Sequence, residues 1–284
     1  MQKIEQVLKG IYQPPMNTGD YRDETGLLKC GKCGGYKERL VDVPLSLRPG
    51  GKLRVPNLCP CEMEKSILEE EDRKRRKFND RMEALRKDGI SDPEYLKYTF
   101  EQDDGKNPQF TKVCKRYVEH WEEMKKENTG ILLYGNVGTG KTFLASCIAN
   151  ALMEKLVSAG ITNLPRVLNL MQSSKFEDRQ RIIDNLQKYS LLVIDDLGVE
   201  RDTSYSTETV FNVIDTRARS GKPLIITTNL SLEDLERPKD LTYKRIYDRV
   251  LGLCPIRLNF EGNSRREEEA MNRRKKAREI LGGK

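Results

Sequence analysis

The apolar positions of this chain follow two different patterns that meet near residue 93. Ile4, Val7, Leu8 and Ile11 have helical spacing and predict a short first helix, followed by a loop carrying Pro14 and Pro15. Residues 29–61 are rich in Gly, Pro and Cys, with short β-like pieces such as 38–43. A charged helix is predicted from Glu62 to about Lys87, and Gly89, Ser91, Asp92 and Pro93 break it. From about residue 94, apolar strands alternate with helices. A helix over 111–126 leads to a strand at 131–134, a helix at 142–156, a strand at 166–170 and a helix at 174–188. Strands at 191–194 and 224–228 then flank a helix at 206–219. A helix at 242–250, a strand at 256–259 and a charged helical tail over 264–281 complete the series. Continuous apolar strands separated by helices predict an α/β fold with a central parallel sheet covered on both faces. The division expected from this pattern is a module over 1–61, a helical linker over 62–93, a main domain over 94–266 and a basic tail over 267–284.

Composition narrows the class. The chain has 284 residues, 33% charged and 37% hydrophobic. No run approaches the roughly 18 apolar residues of a membrane span. The first residues lack the apolar core of a secretory signal, so a cytoplasmic protein is expected. Net charge is +7, and the basic residues cluster at 73–77 and 273–276. Such blocks attract phosphate backbones, but each follows a run of acids (69–72 and 267–269), the pattern of a solvated helix face. The single histidine, His120, sits in a polar helical stretch beside Trp121 and reads as a surface residue, leaving little room for histidine-based nucleophile chemistry.

The most specific motif lies between two predicted elements. Gly135, Asn136, Val137, Gly138, Thr139, Gly140, Lys141 and Thr142 match G-x-x-x-x-G-K-[ST] between a strand and a helix, which is the context of a phosphate-binding loop. Its backbone amides and the helix N-terminus suit phosphate, Lys141 the β- and γ-phosphates, and Thr142 a Mg²⁺ ion. Downstream, an apolar strand ends in Asp195 and Asp196. Asp195 is placed to hold Mg²⁺, and Asp196 to orient and deprotonate the attacking water. The strand at 224–228 ends at Asn229, whose amide suits the γ-phosphate and that water; a turn asparagine is the plainer reading.

Seven cysteines occur. Cys114, Cys147 and Cys254 are scattered and read as packing residues. Cys30 and Cys33 form a C-x-x-C pair, Cys59 and Cys61 a C-x-C pair, with 25 residues (34–58) between them. Four thiolates in a loop-rich segment without an apolar core predict a closed structural Zn²⁺ site, against free thiols or a redox pair. Nearby Lys32, Lys37, Arg39, Lys52 and Arg54 allow this module to touch DNA, while docking a protein is the favoured use.

The segments GNVGTGKTFLASCIANAL, LLVIDDLG, SGKPLIITTNL and RIYDRV together resemble the AAA+ ATPases of the DnaC/DnaI helicase-loader and IstB group, over roughly residues 98–266. The resemblance implies an AAA+ fold, ATP with Mg²⁺ as cofactors, and Asn229 as the sensor-1 residue, with Asp196 as the catalytic carboxylate of an Asp–Asp pair. It also implies an arginine finger at Arg249, with Arg245 as second candidate, acting in an ATP-dependent homo-oligomer. Residues 261–266 resemble a late G-D-S-Y-R segment and make Arg266 the sensor-2 candidate. Because Asn263 stands for Asp and Arg265 for Tyr, Arg265 competes for that role. Phe143 is grouped with the nucleotide-contacting residues and, with Tyr205, is a candidate for stacking on single-stranded bases.

An N-terminal zinc module resembles that of DnaI-type loaders and implies docking to a hexameric replicative helicase. The expected function is then ATP-dependent loading of that helicase onto single-stranded DNA in a bacterial cytoplasm, encoded by the chromosome or a phage. The alternatives are an IstB-like transposition ATPase assembling on duplex DNA and a nucleotide-gated DNA-binding scaffold.

Overall fold

The computed structural model describes residues 16–45, 51–90, 92–198, 203–238 and 240–281. The short helix expected at the start of the chain lies outside the described residues. Two compact units divide between Asn79 and Asp80.

The first unit is built from two small antiparallel ladders. Strand β1 (Tyr21–Arg22) pairs with β2 (Leu28–Lys29), and β3 (Glu38–Asp42) with β4 (Lys52–Pro56). Its buried apolar residues among those described are Leu28, Cys30 and Cys59. So small an apolar core does not hold a fold of this length alone, and cross-links or a metal take its place. Helix α1 (Pro60–Gly89) starts here and ends in the second unit. The predicted 62–87 helix is thus present, two residues longer at each end. Its last residue, Gly89, packs so closely that a Cβ there would lie 2.0 Å from the carbonyl oxygen of Ala159.

The second unit carries a five-stranded sheet in the order β6-β7-β8-β5-β9, with every pairing parallel. The strands are β5 (Ile131–Gly135), β6 (Ala159–Asn163), β7 (Leu191–Leu197), β8 (Leu224–Thr228) and β9 (Ile256–Phe260). Alternation along each strand sends side chains to opposite faces. Ile131, Leu133, Leu191 and Val193 enter one core with Leu144, Ile148 and Leu152. Leu132, Leu192, Ile194 and Ile226 enter the other with Val213, Ile246 and Val250. Both faces are covered by helices, so the strands read as unbroken apolar runs.

The helices of this unit are α2 (Pro108–Glu119), α3 (Trp121–Lys126), α4 (Lys141–Glu154), α5 (Leu164–Ser173), α6 (Phe176–Lys188), α7 (Ser204–Arg219), α8 (Leu232–Glu236), α9 (Leu241–Leu253) and α10 (Arg265–Leu281). Two expected elements differ. The helix expected over 111–126 is interrupted at His120, giving α2 and α3. The run 166–170 is helical within α5, and the strand precedes it at β6. The side chain of Asn163 caps the helix by accepting from the Arg166 amide, and Pro165 occupies the first turn. Those two residues convert an apolar run into a helix, while the plain sequence Ala-Gly-Ile-Thr-Asn forms the edge strand.

Candidate functional site

Parallel order brings the carboxyl ends of β5, β8 and β7 side by side, the region where α/β sheets bind ligands. An open cleft of about 630 Å³ lies there. Val137, Gly138, Gly140, Lys141, Thr142, Phe143, Asp196, Asn229, Arg265 and Arg266 line it, with Glu94, Tyr98, Gln102 and Asp104. Most of the residues singled out from the nucleotide motifs therefore meet in one place.

The loop between β5 and α4 is shaped by close approaches that exclude side chains. Gly138 has φ +75°, and a Cβ there would lie 2.2 Å from Ser264 Oγ. Gly140 has φ +101° and would meet the Arg265 guanidinium at 2.7 Å. Only glycine adopts such backbone at no steric cost. Gly135, Asn136 and Thr139 support the loop: the Thr139 hydroxyl donates to the Asn136 carbonyl (2.8 Å) and the Asn136 amide to the Gly262 carbonyl (3.1 Å). Lys141 is buried, and its ammonium donates to the carbonyls of Gly135 (2.9 Å) and Asn136 (2.5 Å). Burial lowers its pKa. A buried ammonium whose direct hydrogen bonds go to two carbonyls is an anion receptor in chemical character.

Three hydroxyls converge on Asp195. Thr142 donates to Oδ1 at 2.8 Å, Thr227 donates to the same oxygen, and Tyr95 donates to Oδ2 at 3.3 Å. Thr142 and Asp195 supply adjacent oxygen ligands of the kind that Mg²⁺ prefers. Burial pushes the Tyr95 hydroxyl up to about 12, so it stays a donor. Asp196 stands at φ +58°, a left-handed conformation rare outside glycine, at an irregularity in the β7–β8 register. Its amide donates to Thr227 Oγ1 at 3.0 Å. The turn lifts the Asp196 carboxylate into the cleft while Asp195 points down to the hydroxyls. Burial, then the neighbouring Asp195 charge, raises the Asp196 pKa.

The two late arginines differ. Arg265 is engaged: its guanidinium pairs with Asp104 at 3.1 Å and packs over Gly140. Arg266 is exposed, and its charge acts on Lys141 and Asp196. Arg245 and Arg249 lie on α9, away from the cleft lining. Arg245 borders a second cleft with Glu208, Phe211 and Tyr243. Arg249 donates to Asp215 on α7. Phe143 is partly buried and packs against Tyr98, ring centroids 5.5 Å apart, which occupies it within the cleft wall. Tyr205 lies under the Arg179 guanidinium.

The segment 94–104 and Thr227 escaped the sequence reading. Asn150 of α4 holds that segment by donating to the carbonyls of Tyr95 (2.7 Å) and Tyr98 (2.9 Å). No motif marks these residues, since chain folding alone sets them beside the loop. Cys114, Cys147 and Cys254 are buried, and burial pushes their thiols up, to about 12 for Cys114. His120 is exposed beside Glu123.

The sulfurs of Cys30, Cys33, Cys59 and Cys61 all lie within 4.8 Å of one another, with Cys30–Cys61 at 3.6 Å and Cys59–Cys61 at 3.4 Å. Tetrahedral Zn–S bonds of about 2.3 Å put sulfurs about 3.8 Å apart, so the donor set fits zinc. Backbone amides of Cys61 and Gly35 draw the Cys33 thiol down to about 6, favouring thiolate. Lys37 stands behind the cluster, buried, and bonds both Asp20 and Glu62 at 2.8 Å.

A family model for IstB-like ATP binding proteins matches residues 62–273. The chain is 28% identical to the replicative helicase loader DnaI of Bacillus subtilis (strain 168) over 196 residues, 64% of this chain and 63% of that protein. It is 26% identical to the replicative helicase loader DnaC of Escherichia coli (strain K12) over 140 residues, 48% of this chain and 55% of that one. The match thus spans less than two thirds of either relative. Among solved structures, a putative primosome component from Streptococcus pyogenes serotype M3 superposes with a TM-score of 0.53 at 26% identity, covering 64% of this chain and 97% of that one. A crystal structure of DnaI gives 0.51 at 25% identity, covering 62% and 95%. No helix among the described residues is long and apolar enough to cross a membrane.

Proposed function

We propose, from the premise that the chain belongs to the IstB-like ATP binding protein family, that it hydrolyses ATP to load a hexameric replicative helicase onto single-stranded DNA. The observation that carries the ATPase reading is the meeting of Lys141, Thr142, Asp196, Asn229 and Arg266 in one cleft. The loader reading is supported by the relatives named as loaders and by the separate four-cysteine unit, a suitable docking module.

In this reading the loop amides of 135–142 receive the triphosphate, and Lys141 exchanges its two carbonyl partners for phosphate oxygens. Thr142 and Asp195 hold Mg²⁺, which neutralises charge on the β- and γ-phosphates when bound. Asp196 accepts the proton of a water whose oxygen attacks the γ-phosphorus, while the bond to the bridging oxygen breaks and ADP leaves. A raised pKa makes Asp196, once ionised, a better base than an ordinary carboxylate. Asn229 orients that water, and Arg266 balances charge on the phosphates. Arg249 of a neighbouring copy supplies the finger, with Arg245 beside it, and the homo-oligomer forms with ATP bound.

The deciding experiment is capture of the purified replicative helicase by the full chain, wild type and Cys59→Ser. Capture by the wild type alone, loosened by ATP with single-stranded DNA, is the expected result. ATP turnover without any helicase capture removes the loader reading and favours the transposition ATPase.

A further inference from the structure

Helix α1 (Pro60–Gly89) carries a long exposed surface. Every residue from Met63 to Arg81 is exposed, including Ile67 at 54%, Leu68 at 58%, Phe78 at 42% and Met63 at 50%. A helical stretch of this length with no buried face draws little stability from its own propensities, and three of its four large exposed apolar residues, Met63, Ile67 and Phe78, fall in one line. Met63, Ile67, Glu71, Lys74 and Phe78 are spaced 4, 4, 3 and 4 apart and form one stripe along the helix. The eleven-residue steps of that pattern, Met63 to Lys74 and Ile67 to Phe78, each correspond to about three full turns, so the stripe stays in line for about 22 Å.

Charge is distributed along α1 with the same regularity. Glu69, Glu70, Glu71 and Asp72 make its middle acidic, and Arg73, Lys74, Arg75, Arg76 and Lys77 follow at once. We propose that α1 pairs antiparallel with α1 of a second copy of this chain. With Ile67 opposite Phe78 of the second copy, Glu71 faces Lys74, and Glu70 at the flank lies beside Lys74 and Lys77. The two-fold axis repeats each contact. A parallel pair would set the five basic residues against each other, which the charge pattern forbids. The polar Glu71–Lys74 layers at the centre cost stability but fix register and orientation, as single polar layers do in paired helices. In the lone chain the same residues bond within the helix, Glu70 to Arg73 (3.8 Å) and Lys74 (3.2 Å). Exposed pairs of that kind contribute little and are readily exchanged for contacts across the seam. This contact is independent of nucleotide and of the arginine finger, and it joins two copies rather than a ring.

Sedimentation velocity of the full chain without nucleotide tests it. The wild type sediments as a dimer at low salt and shifts toward monomer at high salt. Glu70→Lys with Glu71→Lys gives monomer, and so does Lys74→Glu with Arg75→Glu and Lys77→Glu. All five changes combined exchange acid for base on both copies and restore the dimer, while circular dichroism keeps the same helix content throughout. A monomeric wild type overturns the proposal. So does a combined variant that stays monomeric, the result expected if the basic block meets nucleic acid or if the face meets a helicase.

Discussion

Arg249 is tied down within its own chain: its Nε donates to Asp215 Oδ1 at 2.6 Å, and its guanidinium lies 4.8 Å over the Phe211 ring. Asp215, itself nearly buried, also pairs with Arg219. The charge is thereby held along the α7–α9 surface and does not line the cleft of the same copy, so any action on ATP would be on that of a neighbour. Arg249→Ala is predicted to leave ATP binding unchanged and to cut turnover by about 10³-fold, the usual worth of an arginine finger. Mixing Arg249→Ala with Lys141→Ala chains returns part of the activity, because the second chain lends its intact finger. Steady-state turnover of the mixture decides it, and no recovery rules out action in trans.

Thr227 links the two aspartates. It accepts from the Asp196 amide and donates to Asp195, and it is fully buried. Thr227→Val keeps the shape and deletes both bonds, leaving the strained Asp196 backbone without its anchor. The expected cost is about 1–3 kcal/mol of stability. A larger effect is expected on turnover than on ATP affinity, because the carboxylate displaced is that of Asp196, the proposed base. Parallel denaturant melts and single-turnover assays check this, and an unchanged hydrolysis rate would refute it.

Unbroken apolar runs between helices made the sheet legible, and the G-x-x-x-x-G-K-T loop marked the cleft that its residues line. Thr227 and Tyr95 were not legible for a physical reason. Each acts on Asp195 from a strand or loop distant in sequence, and a lone Thr or Tyr carries no spacing signal. Edge strand β6 failed for a related reason, since its Gly and Thr residues weaken the apolar signal while Pro165 and Asn163 act over only one turn. Adjacent Arg265 and Arg266 could not be told apart by spacing; side-chain geometry distinguishes them, since both border the cleft but Arg265 also pairs with Asp104.

Asp196 sets a trade between stability and chemistry. Burial and the Asp195 charge raise its pKa, so the folded chain holds that proton more tightly than the unfolded chain does. Stability from this group is therefore fully present below the unfolded value and falls as pH rises through the raised folded value. Ionisation of Asp196 is therefore a net cost to the nucleotide-free protein. Asp196→Asn, which also tolerates φ +58°, is predicted to raise the melting temperature at pH 7 while slowing hydrolysis. The gain shrinks toward acid pH, where the wild-type carboxyl is already neutral. A variant that melts no higher at pH 7 contradicts the assignment.

Lys37 is the residue through which the two halves of the cysteine cluster communicate. Its ammonium reaches Asp20, which accepts from the Gly31 amide inside the first Cys pair at 3.0 Å. It also reaches Glu62, which accepts from the Cys59 thiol of the second pair at 3.4 Å. These carboxylates hold the Lys37 pKa above its ordinary value, and the ammonium in turn draws Asp20 down to about 2. Groups that orient ligands in this way typically carry about 10–100-fold in metal affinity. The wild-type chain is predicted to purify with about one zinc and to lose the first unit's structure when a chelator removes it. Lys37→Met is predicted to retain zinc at purification but surrender it at about 10–100-fold lower chelator concentration. Competition with a chromogenic chelator, read beside far-ultraviolet circular dichroism, measures both. A Lys37→Met chain that holds zinc as tightly as wild type would show that the triad braces the fold without tuning the metal.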